Sequence, residues 1–201
     1  MNARLPLIGL LAVQILIGYE WFMSGLTKLV RGGFPSGLSD ELTEKSEGTT
    51  GWFRDFLDSV VIPNATGFGY LIELSELAVG IGLIAAALVW LLAWDRIELG
   101  GRTTVLAVTA LAAVGGILMN VAFHLANGSA HPWLIPGDGF DEGVDLDSLM
   151  PAIQLVLAAV SVAAWLGLRG ERQACYGRRR RRSPIEASRP SSSSGEAMPQ
   201  R

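Results

Sequence analysis

Apolar residues are concentrated in four long segments of the chain that contain very few charged side chains. These segments cover residues 5–30, 67–94, 103–126 and 149–168. About 20 helical residues cross a hydrocarbon core that is roughly 30 Å thick, so each segment is long enough to span a membrane. The pattern predicts an all-α membrane protein built as a four-transmembrane-helix bundle.

The first apolar segment follows Arg4, and such a start is also typical of a secretory signal peptide. The segment lacks the small-residue cleavage pattern of signal peptides, and it continues through Tyr19, Glu20 and Trp21. We therefore expect an uncleaved first span.

The distribution of charge predicts the orientation of the bundle. The chain is 17% charged, against about 25% in soluble domains. Arginines lie before the first span (Arg4), in the loop between spans two and three (Arg96 and Arg102), and after the last span. The other two loops, residues 32–65 and 128–148, are rich in acids. By the positive-inside rule, both termini are cytoplasmic in a multi-pass protein of a bacterial plasma membrane.

Two regions follow from this division of the chain. Residues 1–170 form the predicted membrane domain, and residues 171–201, rich in Arg, Ser and Pro, form a predicted disordered cytoplasmic tail. The arginine run of the tail favours contact with anionic membrane lipid, and we expect no nucleic-acid partner.

The first acidic loop contains a further helical pattern. Trp52, Phe53, Phe56, Leu57, Val60 and Val61 recur at helical spacing. A cap at Thr49 or Thr50 and a stop at Pro63-Asn64 would bound this helix. The pattern predicts a short outer interfacial helix, lying on the outer leaflet or across the mouth of the bundle, with a helix packed on the loops as the alternative.

Polar side chains within the spans are the principal candidates for chemistry. They are Glu20, Ser24, Glu73, Glu76, Asn120, His124 and Gln154. At about 1.5 Å per residue, all of them fall in the outer half of their spans, and the inner half is almost purely apolar. This arrangement predicts a pocket that opens outward, because buried ionisable groups usually face a bundle interior or a cavity.

Structural roles for the same residues stay open at this point. Glu20 has a possible structural partner in His124 or Lys28, and Glu73 is an interfacial carboxylate in the plainer interpretation. Lys28 and Arg31, near the outer boundary, are expected to extend towards the headgroups. Asn120 and Gln154, like the pairs Gly80/Gly82 and Gly115/Gly116, are expected to hold helices together.

The residue types narrow the possible chemistry. His124 is the one histidine within a predicted span, so we expect no bis-histidine haem. Cys175 is the one cysteine, which excludes an internal dithiol. A metal held by Glu20, Glu73, Glu76 and His124 is possible by ligand type, but we predict no metal site. Buried carboxylates with an imidazole favour proton exchange coupled to a quinone or another small molecule.

Residues 18–29, GYEWFMSGLTKL, resemble the first-span signature of DoxX/DoxD-like membrane proteins. The resemblance continues more weakly at residues 52–70, at 73–82 and at 119–129. It implies a four-helix membrane bundle related to the large subunit of thiosulfate:quinone oxidoreductase, which works with a partner subunit. The acidic insert at 132–147 and the arginine-rich tail depart from the family pattern.

The resemblance and the polar cluster together predict a membrane subunit of a quinone-linked oxidoreductase. The resemblance implies that it oxidises a reduced sulfur compound together with a partner redox subunit. We expect Glu20, Glu76 and His124 to handle protons as the catalytic set. Quinone is the expected cofactor, and the expected binding residues are Trp21, Ser24, Glu73 and Asn120. The alternative is a non-catalytic scaffold or assembly subunit of a redox complex, and a small-solute transporter is least favoured.

Overall fold

A computed structural model describes the backbone of residues 4–45, 48, 49, 51–127 and 146–182, and the side chains of residues 7–45, 48, 49, 51–127 and 148–170. The described residues are helical and contain no strand. The helices are α1 (Arg4–Arg31), α2 (Phe34–Lys45), α3 (Gly51–Phe56), α4 (Ala65–Ala93), α5 (Leu99–Ala126) and α6 (Leu146–Arg182). A π-helical turn at Leu57–Val61 and a 3₁₀ turn at Ile62–Asn64 connect α3 to α4.

Four helical segments are long and apolar enough to cross a membrane. They are Leu7–Arg31, Gly51–Ala93, Leu99–Ala126 and Ser148–Gly170. This result confirms the all-helical class and the four predicted apolar helices, by length and composition.

The chain divides into two compact units, Met1–Trp165 and Leu166–Arg201. The first unit contains α1 to α5 and α6 as far as Trp165. In the second unit α6 continues to Arg182, so residues 171–182 of the predicted tail are helical. Arginine is a good helix former, which explains why the basic run continues the helix. The rest of the predicted tail, and the acidic insert at 132–145, lie outside the described residues.

Helices α1 and α4 pack closely because glycines remove side chains from their contact. A Cβ atom added at Gly80 of α4 would lie 2.4 Å from the backbone nitrogen of Phe22, and one added at Gly25 of α1 would lie 2.8 Å from that of Leu77. Close backbone approach through small residues is a main source of helix association in lipid. The predicted packing role holds for Gly80, whereas Gly82 meets its neighbours at ordinary contact distances.

Helix α2 was not predicted by the apolar pattern. Gly32 and Gly33, with φ of 68° and 81°, turn the chain after α1, and α2 begins at Phe34. Leu38 is buried, although the helix as a whole is polar. Its Phe34, Leu38 and Leu42 recur every four residues, which is the signal that would have identified it.

Residues 51–61 of the first acidic loop are helical, as α3 and the π-helical turn, and their apolar residues are divided between two environments. Phe53, Leu57 and Val61 are buried together, whereas Trp52 is 73% exposed. The buried group packs against Leu42, Phe68, Leu125 and Ala126. One face of this segment therefore packs on α2, α4 and α5.

The predicted boundaries of this outer helix differ from the structure. Thr49 does not cap α3, because its hydroxyl donates a hydrogen bond to the Leu125 carbonyl at 3.0 Å. Pro63 and Asn64 change the type of turn, and the helical path continues into α4. Proline is tolerated there because it lies at the start of the 3₁₀ turn.

The part of the bundle that was expected to be almost purely apolar contains a buried amide. Gln14 of α1 is buried, and its Nε2 donates to the Leu83 carbonyl at 2.9 Å and to Thr109 Oγ1 at 3.3 Å. An amide in apolar surroundings must find partners, and these bonds join α1 to α4 and α5. A single glutamine in an uncharged segment does not change the hydropathy enough to reveal this link.

The glycine contacts predict opposite effects for two substitutions in α4. Gly80→Ala places a methyl group against the Phe22 backbone, and such overpacking costs about 1–3 kcal/mol. Where there is room for the methyl group, as at Gly82, Gly→Ala within a helix instead stabilises the protein by about 1 kcal/mol. We expect Gly80→Ala to lower the free energy of unfolding and Gly82→Ala to preserve or raise it. Unfolding of both variants by SDS in mixed micelles tests this. Equal unfolding midpoints would contradict the close contact between α1 and α4 at Gly80.

Candidate functional site

A buried ion pair connects α1 to α4. The Lys28 ammonium lies 2.5 and 2.6 Å from the two carboxylate oxygens of Glu76. The side chain of Glu76 is 1% exposed and that of Lys28 is 23% exposed. Ser24 donates to Glu76 at 3.0 Å, and Lys28 donates to Ser24 at 2.9 Å, so the three groups form one hydrogen-bonded network.

The network forms part of the wall of a polar cavity of about 190 Å³. The cavity brings together side chains from α1, α4, α5 and α6. They are Glu20, Trp21, Ser24, Lys28, Glu76, Asn120, Phe123 and Met150. Trp21 is 4% exposed, and its indole N–H has no hydrogen-bond partner within the described part of the chain.

A larger cavity of about 390 Å³ lies beside the network and is mainly apolar. Its apolar wall comes from α2 to α5 and the turns after α3, and consists of Phe34, Leu38, Leu42, Phe53, Phe56, Leu57, Val61, Phe68, Ile72, Met119, Ala122, Phe123 and Ala126. Its polar contributors are Lys28, Glu41, Lys45 and Asn127. Cavities of about 300–1,000 Å³ with an apolar lining and a few polar groups are typical binding sites for small molecules.

Lys28 and Phe123 line both cavities. The Lys28 ammonium also lies 5.0 Å from the centre of the Phe34 ring, a distance at which the ring face attracts a cation. On the polar side, the Phe123 and Trp21 rings are 6.5 Å apart. The two cavities are therefore separated by one cation and one aromatic side chain.

The structure brings together five of the seven predicted site residues. Glu20, Trp21, Ser24, Glu76 and Asn120 all line the polar cavity. The remaining two, Glu73 and His124, are buried on α4 and α5 and line neither the polar nor the apolar cavity.

Two structural expectations for this region need correction. Lys28 does not extend towards the headgroups, because Glu76 holds it inside the protein. Glu20 is exposed, and the lysine that was considered as its partner binds Glu76 instead. Lys28 follows Ser24 by four residues, and this spacing is the signal that could have placed it in the site.

The amide pair confirms the predicted role in helix contact. Asn120 Nδ2 donates to Gln154 Oε1 at 3.2 Å, which links α5 to α6. Gly116 makes room for this link, because a Cβ atom there would lie 2.1 Å from Gln154 Nε2.

Metal coordination finds no support in the described side chains, among which no group of three or more His, Cys, Asp or Glu residues is placed to hold an ion. Comparisons with protein-family models, curated proteins and solved structures gave no match to the chain.

The ion pair predicts a strong dependence of stability on both partners. Lys28→Met leaves the Glu76 carboxylate buried without its cation, and breaking a buried pair in this way costs about 3–5 kcal/mol. We expect Lys28→Met/Glu76→Leu to recover most of that loss, because it removes both charges. Unfolding in detergent of the two single variants and the double variant measures the coupling.

The exposed pair Lys45–Glu41 supplies a control for this cycle. Its side chains are 54% and 46% exposed, so Lys45→Met should cost less than about 1 kcal/mol. Additive effects of the Lys28 and Glu76 substitutions would contradict the coupling.

Proposed function

We propose that the protein is an integral membrane subunit of a quinone-linked oxidoreductase, similar to DoxX/DoxD-like proteins. The observation that carries the proposal is the apolar, aromatic cavity with Lys28 in its wall. The resemblance of residues 18–29 to the first-span signature supports it, since Glu20, Trp21, Ser24 and Lys28 of that segment line the polar cavity.

The apolar cavity suits a quinone ring by shape and by chemistry. Its phenylalanines offer apolar faces to a flat ring, and the Lys28 ammonium offers a hydrogen-bond donor to a ring oxygen. When bound, a quinone accepts two electrons and two protons. Phe123 and Lys28 would orient the ring, while the apolar wall would exclude water from it.

The electron donor follows from the resemblance, which implies a reduced sulfur compound. Two thiosulfate ions joined through a new S–S bond release two electrons, and a partner redox subunit would pass these to the quinone. The acidic outer loops would repel the thiosulfate anion. We therefore propose that the partner subunit, rather than this chain, binds and oxidises the donor.

In the proposed topology the protein spans a bacterial plasma membrane, and both termini lie on its cytoplasmic side. It is supported by the arginines near α1, between α4 and α5, and after α6. In this orientation α2 and α3 lie at the outer side, with the exposed Trp52 near the headgroups, and the basic end of α6 contacts anionic lipid.

A scaffold role is the second candidate, and the Lys28–Glu76 pair specifically favours it by joining α1 to α4. Glu76→Gln and Glu20→Gln distinguish the two functions. Lost quinone reduction at normal membrane abundance supports chemistry, whereas lost abundance with unchanged activity per molecule supports a scaffold.

The quinone site predicts that filling the apolar cavity blocks binding. Ala122 lines the cavity, so Ala122→Phe should weaken binding of a short-chain quinone at least about tenfold by occupying its space. Ala107→Phe is the matched control, because Ala107 is exposed on the same helix and does not line the cavity. Quenching of tryptophan fluorescence in detergent measures both affinities.

Activity in membranes tests the redox role. Vesicles that contain the protein and its partner should reduce quinone with thiosulfate or sulfide, and Ala122→Phe should slow this reaction. Equal rates with and without the protein, for both donors, would contradict the proposed function.

A further inference from the structure

We infer that the polar cavity is a water-filled proton-transfer site. Through it, protons pass from Glu20 to the Lys28–Glu76 pair. This inference rests on the proposed function, because the protons it delivers are those that quinone reduction consumes.

The size and lining of the polar cavity suit water better than an anion. One water molecule takes about 30 Å³ of the liquid, so a cavity of about 190 Å³ has room for several. Glu20 and Glu76 bring two carboxylates against one ammonium, which disfavours an anionic ligand. The same groups provide water with both acceptors and donors.

Trp21 strengthens the case for water in this cavity. Its indole N–H is buried and has no protein partner among the described residues, and a buried donor without a partner is unfavourable because it has lost its hydrogen bonds to water. A water molecule that accepts this hydrogen bond removes the cost. The same water can donate towards a carboxylate of the cavity, so Trp21 acts as a positioning residue.

Lys28 connects the two cavities. Its Nζ binds Glu76 and Ser24 beside the polar cavity and also forms part of the wall of the apolar one. Lys28 gives up one proton from Nζ, breaking an N–H bond while an O–H bond forms on the ring oxygen. Glu20 then returns a proton to Nζ through water and the Glu76 carboxylate and regains its own proton from outside the cavity. A second such transfer supplies the second proton to the ring, and the two accompanying electrons come from the reduced sulfur donor through the partner subunit.

Glu20 is suited to the entry position by its exposure. It lines the polar cavity, yet its side chain is exposed, in contrast to the nearly inaccessible Glu76. A carboxylate at the edge of a cavity can take a proton from outside and pass it inward. A carboxylate at this depth in a span is costly, which favours a functional role.

Glu20→Gln, Glu20→Asp and Trp21→Phe test the inference in the full chain with its partner, reconstituted in nanodiscs. Glu44→Gln is the matched control, since Glu44 is an exposed acid of α2 outside the lining of either cavity. Three quantities are measured: affinity for a short-chain quinone, the rate of its reduction, and the infrared difference spectrum on electrochemical reduction.

We expect every variant to bind quinone with wild-type affinity, because neither Glu20 nor Trp21 lines the apolar cavity. Glu20→Gln should slow reduction about tenfold or more and increase the solvent isotope effect, whereas Glu20→Asp should retain most of the rate. The carboxyl band of the difference spectrum should weaken in Glu20→Gln, and the water band should change in Trp21→Phe.

Two results would overturn the inference in distinguishable ways. Normal quinone binding with unchanged rate and infrared bands in Glu20→Gln would overturn the proton-transfer site alone. Failure of the wild-type protein to bind quinone would overturn the proposed function and the inference with it.

Discussion

The rest of the site depends on one constraint, the burial of a lysine and a glutamate inside an apolar helix bundle. An isolated charge in such surroundings is expensive, so Lys28 and Glu76 have to remain together. Because Lys28 is on α1 and Glu76 is on α4, their pairing restricts the rotation of one helix against the other. The close approach at Gly25 and Gly80 brings the two backbones near enough for the pair to form.

This constraint also explains why two cavities of different chemistry lie side by side. The ion pair and Ser24 concentrate polar groups at one position between α1 and α4, where Trp21 and Asn120 complete a polar lining. Helices α2 and α3 contribute phenylalanines and leucines next to the same lysine, and these form an apolar lining. Lys28 is thereby available to a hydrophobic ligand on one side and to water on the other.

The sequence predicts the parts of this arrangement that depend on hydropathy averaged over about 20 residues. Four long apolar segments identify α1, α4, α5 and α6, because membrane spans need about 20 apolar residues. The partner of Lys28 depends on helix rotation and on the placement of two glycines, which the hydropathy pattern does not contain. Helix α2 is too polar for that pattern, and Gln14 is a single residue whose partners lie on two other helices. Five of the predicted residues nevertheless line one cavity, since polar groups within spans tend to share one interior.

The position of Trp21 changes what its part in a quinone reaction would be. A tryptophan beside a quinone would be expected to stack on the ring, yet Trp21 lines the polar cavity, with Phe123 between that cavity and the apolar one. In the proposed reaction its indole N–H would therefore be its functional group, while Phe123 would face the quinone. The same argument applies to Glu20 and Ser24, which line the polar cavity together with Lys28. If the proposed function holds, the segment that carries the family resemblance would serve chiefly proton transfer, and α2 to α5 would contribute most of the wall that binds the ring.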